Sequence, residues 1–238
     1  MKITSKKLSL LNRKLKYKMG NILQSSIGKK LIMSITGLFL IVFLLVHLLA
    51  NSAYLFGEEA FEAMIHFMGS PFVVIMVPVL AAGFLLHILY SGYLFIMNRK
   101  ARGSERYAVT NKAKTDSWAS KNMLVLGLII LGVLIFHLSH FWAKMQLPEI
   151  IGSEAENGYI LMHQTFGDIR IVICYLLWFV ALWFHLTHGF WSAFQTLGAN
   201  NDKWLVRLKV ISYLYATFIA LGFSTIAIAA YLKSNGII

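Results

Sequence analysis

Five apolar runs, about Leu31–Ala53, Pro71–Met97, Met123–Ala143, Ile169–Phe194 and Val210–Leu232, limit what this chain can fold into. Each is near the roughly twenty residues that a helix needs to cross a hydrocarbon core of about 30 Å. Inside lipid every backbone N–H and C=O has to be paired within the protein, so runs of this length fold as helices. The expected fold class is all-α, an integral membrane bundle of five transmembrane helices over residues 31–238. A basic segment, residues 1–30, precedes it. The 58% hydrophobic content and mean hydropathy of +0.67 agree with a membrane protein and lie far from the globular norm.

The formal charge of +12 falls in the connections between the runs. No soluble stretch is long enough to fold a reader of bases, so nucleic acid is not an expected partner and the charge sets orientation instead. Asn98–Lys121 carries seven Lys or Arg against Glu105 and Asp116, and the fourth-to-fifth connection adds Lys203, Arg207 and Lys209. The first connection has Glu58, Glu59 and Glu62 and no Lys or Arg. The basic sides face the cytoplasm, which puts the N-terminus inside and the C-terminus outside. Within the first outer connection, Glu58 to Met68 places Phe61, Met64, Ile65 and Met68 at helical spacing and predicts a short interfacial helix. The second outer connection, Gln146 to Asp168, contains Pro148, Gly152 and Gly158 and reads as a loop without a clear element. Cys174 is the single cysteine, so a disulfide framework and covalent haem attachment through a Cys-x-x-Cys-His motif are both excluded.

Four of the five runs carry histidine: His47, His87, His137 with His140, and His185 with His188. An imidazole in lipid is costly unless it is paired or liganded, so each is a candidate functional residue. At about 1.5 Å per residue, His47 lies roughly 25 Å from Lys30 and His137 roughly 24 Å from Lys121, both toward the outside. His87 lies roughly 18 Å from Arg99 and His185 roughly 20 Å from Gly198, both toward the inside. Two pairs of imidazoles at two depths are what two bis-histidine haems, stacked across a bilayer, require. Spacing alone leaves His140 and His188 open as alternatives to His137 and His185. Gly37, Gly127 and Gly132, with Gly92 and Gly189, would let a flat macrocycle approach the backbone or let helices pack closely. A metal or proton transporter lined by histidine is the rival from another class. Such proteins usually place Asp or Glu at the midplane, and none of these runs has a central carboxylate.

The segments FLLVHLLANSAYLFGEEAFEAMIHFM around His47 and GFLLHILYSGYLF around His87 resemble the single-subunit, di-haem cytochrome b anchors of succinate:quinone oxidoreductases and fumarate reductases. LGLIILGVLIFHLSH and LWFHLTHGFWSAF continue the likeness over roughly Ser34 to Phe194. The resemblance implies two b haems, with His47 and His137 ligating the outer iron and His87 and His185 the inner. His140 and His188 then stay in the haem environment, bonded to a propionate, a neighbouring helix or water. It also implies a flavoprotein and an iron–sulfur subunit on the cytoplasmic side of a bacterial inner membrane. Menaquinone or another quinone would react near the outer haem, where Glu59, Glu62 and His66 are the nearest titratable groups. Haem b subunits of nitrate reductase, formate dehydrogenase or hydrogenase distribute their ligands differently over the helices. Some members of the family have a proton-carrying glutamate two residues before the fourth-helix ligand. This chain has Trp183 there, which departs from such a route.

The charge asymmetry predicts that protease added to sealed inside-out vesicles cuts within Asn98–Lys121. Cleavage confined to right-side-out vesicles would invert the topology.

Overall fold

In a computed structural model the chain is described over residues 25–102, 117–199 and 201–238, and no strand occurs among them. The helices are α1 (Ser26–Ser52), α2 (Glu58–Met68), α3 (Pro71–Arg102), α4 (Trp118–Lys121), α5 (Met123–His137), α6 (Ala143–Ile151), α7 (Gly158–Phe166), α8 (Ile169–Thr196) and α9 (Asp202–Ser234). A 3₁₀ turn, Ala53–Phe56, closes α1, and a π turn, Leu138–Trp142, joins α5 to α6. Five helical stretches among the described residues are long and apolar enough to cross a membrane: Ile27–Phe56, Val73–Ala101, Met123–Ile151, Ile169–Thr196 and Asp202–Ser234.

Polar residues just ahead of the apolar runs start these helices by accepting otherwise orphaned backbone N–H groups. Ser25 accepts from Gly28 at 3.0 Å, Asp168 from Arg170 at 2.9 Å and Asn201 from Trp204 at 2.9 Å. The Arg170 side chain also hydrogen-bonds Asp168 and holds its carboxyl below the usual carboxylate range.

The interfacial helix expected over Glu58 to Met68 is α2. The second outer connection differs from expectation, because Gln146 to Asp168 contains the end of α6 and all of α7. Pro148 lies inside α6, where its missing N–H interrupts the ladder without ending the helix, and Gly152 ends it at φ 76°. Asn157 starts α7 by accepting from Ile160 at 2.8 Å, and Leu161, Met162, Thr165 and Phe166 then bury one face. The basic connection is also shorter than expected at both ends. Residues 98–102 continue α3 and 118–121 form α4, while 103–116 lie outside the described residues, as do residues 1–24 of the N-terminal segment.

The bundle is organised around α8 and α9, which share the largest interface. Tyr175, Phe179, Leu182 and Leu186 of α8 meet Ala216, Ile219, Ala227 and Ala230 of α9, with Leu48 of α1 beside them. Small residues let these backbones come close, the usual means of association where lipid offers no hydrophobic drive. Polar side chains seal the same seams. The Ser212 hydroxyl donates to Thr187 O at 2.6 Å, the Tyr215 hydroxyl donates to Ile41 O, and Trp183 Nε1 donates to Thr217 Oγ1 at 3.0 Å. α5 lies on α8, and α3 lies along α1. Among the described residues of α3 only Gly83 is buried, because the Phe39 ring stands 2.6 Å from where its Cβ would be.

A Cβ on Gly222 would lie 2.7 Å from the Leu48 side chain, at the contact of α9 with α1. Gly222→Val is therefore expected to cost about 1–3 kcal/mol by overpacking. The check is denaturant unfolding of the detergent-solubilised protein, in which Gly92→Val, at a position where added Cβ meets nothing within 4 Å, serves as the control.

Candidate functional site

The histidines of the apolar runs sit on α1, α3, α5, α8 and the π turn after α5, and the fold gathers four of them into two pairs. The rings of His47 and His137 have centroids 5.9 Å apart at 89° between planes. Those of His87 and His185 are 6.4 Å apart at 67°. Two imidazoles bound on opposite sides of one iron, each through a bond of about 2 Å, have centroids roughly 6 Å apart. Both rings then contain the bond axis, so any angle between their planes is compatible with that ligation. Neither α1 with α5 nor α3 with α8 is among the closely packed helix pairs of the described residues. Each histidine pair therefore spans a gap between helices that neighbours hold apart, chiefly α8 against α5 and α1 against α3.

The second ring nitrogen of a metal-binding histidine is ordinarily hydrogen-bonded, which fixes tautomer and orientation. Thr36 Oγ1 lies 3.3 Å from His87 Nδ1. The single hydroxyl proton of Thr36 is already directed at Ile32 O at 2.9 Å or Met33 O at 3.1 Å, so the oxygen accepts from His87 Nδ1–H. That leaves Nε2 of His87 with a free lone pair. The Tyr175 hydroxyl is 3.3 Å from His137 Nδ1, and Asn51 Nδ2, which donates to His47 O at 2.8 Å, lies 3.5 Å from both ring nitrogens of His47. His185 is the exception, with an enclosed Nδ1 that meets no partner. Aromatic side chains wall the His47–His137 pair, Phe43 at 5.2 Å and Phe223 at 5.7 Å from His47, and Trp178 at 6.0 Å from His137.

His140 and His188 stand outside the pairs. His140 Nδ1 donates from the π turn back to Phe136 O of α5 at 3.0 Å, and its ring lies 4.1 Å from that of Phe136. His188 packs edge-on to Trp191 at 4.9 Å, with its Nδ1 enclosed and unpartnered. Gly37 lies beside the His87 ring, where an added Cβ would be 3.4 Å from His87 Cε1, an ordinary contact distance. Around Gly92, Gly127, Gly132 and Gly189 an added Cβ meets nothing within 4 Å.

Glu59, Glu62 and His66 share α2, but they do not converge on one point. Glu62 accepts from the backbone N–H of Tyr159 at 3.1 Å and ties α2 to α7, whereas Glu59 and His66 are exposed. Sequence reasoning missed Thr36 and Tyr175, which reach histidines on other helices. Asn51 had a signal, since it follows His47 by one helical turn.

No group of three or more His, Cys, Asp or Glu side chains among the described residues is placed to hold a metal ion. Each histidine pair offers two ligands, which suits a metal whose other ligands come from a macrocycle. No family model, curated protein or solved structure matches this chain.

Thr36→Val, which removes the acceptor and keeps the shape, is expected to release the His87 Nδ1–H tautomer. Imidazole ¹⁵N shifts of the full-length protein check this, and an unaltered His87 signal would contradict the assignment.

Proposed function

We propose that this chain is the membrane-anchor cytochrome b subunit of a succinate dehydrogenase or fumarate reductase complex in a bacterial cytoplasmic membrane. It is the part of that oxidoreductase that handles electrons and quinone and does no succinate chemistry itself. The observation that carries the reading is the pairing of His47 with His137 and of His87 with His185 across helices, at 5.9 and 6.4 Å between ring centroids. Haem b bound at each pair would supply one-electron transfer with no open coordination position.

The protein's own contribution is placement. α1 and α5 hold the outer imidazoles and α3 and α8 the inner ones. The resemblance of these four helices to the di-haem anchors supplies the partners, a flavoprotein and an iron–sulfur subunit on the side of the basic connections. Thr36 directs the His87 ring by accepting its Nδ1 proton, and Tyr175 stands in the corresponding place beside His137. The rings of Phe43, Phe223 and Trp178 line the His47–His137 pair. Quinone, menaquinone in the first instance, would react at the outer end, where α2 brings Glu59 and His66 to the surface and Glu62 to the base of α7. Trp183, bonded to Thr217, occupies the place of the glutamate that serves proton transfer in some family members.

Replacing His47 or His137 by Ala is expected to remove one b haem, and replacing His87 or His185 the other. His140→Ala and His188→Ala should retain both, with shifted potentials at most. Reduced-minus-oxidised spectra and haem-to-protein ratios of the purified variants decide this. A featureless spectrum for the unmodified chain expressed with ample haem would end the reading. A second expectation concerns the outer end: Glu59→Gln and His66→Gln slow quinone-linked turnover and spare succinate oxidation by an artificial acceptor at the soluble subunits.

A further inference from the structure

α3 and α8 treat the stretch beyond their paired histidines alike. Six residues after His87 in α3 comes Tyr93, and six residues after His185 in α8 comes Trp191. Six residues are roughly 9 Å of helix, and both rings lie toward the ends that carry the basic connections. Each ring has a lysine of a neighbouring helix over it. Lys29 Nζ of α1 is 5.1 Å from the centre of Tyr93, and Lys209 Nζ of α9 is 5.1 Å from the centre of Trp191. Lys30, Arg99, Lys203 and Arg207 on that side are exposed, whereas Lys29 and Lys209 are half-buried.

α1 reaches the same level independently. Its Thr36 touches the His87 ring, and Lys29 lies seven residues earlier on the same face, two turns or roughly 10 Å away. On α8, His188 falls in sequence between His185 and Trp191. Its ring is 4.9 Å from that of Trp191, edge-on, and its Nδ1 is enclosed without a partner. An ammonium group over an aromatic face is held in place by the ring and keeps N–H donors for an anion. Among the described residues Asp202, exposed at the start of α9, is the one carboxylate on this side. The anion that suits the two half-buried cations therefore comes from outside the described chain.

An iron shared by His87 and His185 sets a macrocycle across the line between their rings, so that its edge runs along the helices. Haem b has two propionates on one edge, at a distance from the iron comparable with the helical rise from histidine to aromatic ring. We propose that Lys29, and Lys209 together with the Nδ1–H of His188, bind the two propionates of a haem ligated by His87 and His185. This rests on the cytochrome reading above. The carboxylate edge then points to the basic connections, and the two lysines fix which way round the macrocycle enters. A phospholipid headgroup has the same negative charge, and the test separates it from a propionate.

The test uses the full-length chain with His47→Ala, which leaves the His87–His185 pair to take haem. Produced without haem, it is titrated in detergent with iron protoporphyrin IX or with its dimethyl ester, which lacks both carboxylate charges. The Soret band reports the affinity. The diacid is expected to bind at least about tenfold more tightly than the ester, the worth of one charge-assisted hydrogen bond. Lys29→Gln and Lys209→Gln should each weaken binding of the diacid about tenfold and leave the ester unaffected. Both porphyrins are compared within one variant, so a general loss of folding cancels from their ratio. The midpoint potential of the bound diacid haem should also fall in each variant, because a cation that favours the ferrous state is lost. Lys30→Gln, at an exposed neighbour, is the control. Equal affinity for diacid and ester before substitution, or an unchanged ratio in Lys29→Gln or Lys209→Gln, overturns the inference and leaves the lysines to lipid or to packing. A chain that takes up neither porphyrin overturns the cytochrome reading and this inference with it.

Discussion

The cost of an unpaired polar group in hydrocarbon governs this structure at every level. It forces the backbone of the apolar runs into helices. It also decides how the helices meet, since the Ser212, Tyr215 and Trp183 side chains each find a partner on a neighbouring helix. For the histidines the same cost selects partners: Thr36 for His87 and Tyr175 for His137. His185 Nδ1 and Tyr54 Oη are enclosed without a protein partner, so there the cost is not offset by another side chain.

The five spans and the interfacial helix were legible because their signals are local, namely apolar length and helical spacing. The pairing of His47 with His137 and of His87 with His185 was legible too, since helix rise is constant. What stayed hidden was lateral. Depth could place His87 level with His185, but only packing could bring Thr36 of α1 to the ring of His87 on α3. α7 was obscured by glycine and proline cues on either side of Asn157, an N-cap whose hydrogen bond to Ile160 outweighs them. His163 stands on α7, and its contact with Tyr54 is lateral as well.

α8 has a double part. One side of it builds the core with α9, and another presents His185, while Tyr175 reaches His137 on α5. A single helix thereby touches both histidine pairs, as does α1, which carries His47 and brings Thr36 to His87. On the α9 side of the α8–α9 seam Ser212, Ala216, Ile219 and Ala230 are 0% exposed.

α3 is attached on one side only. It lies along α1, buries Gly83, and reaches α8 through the approach of His87 to His185. A ligand that bridged those two rings would tie α3 to α8, a pair of helices that do not pack closely by themselves, so its binding would be linked to the docking of α3.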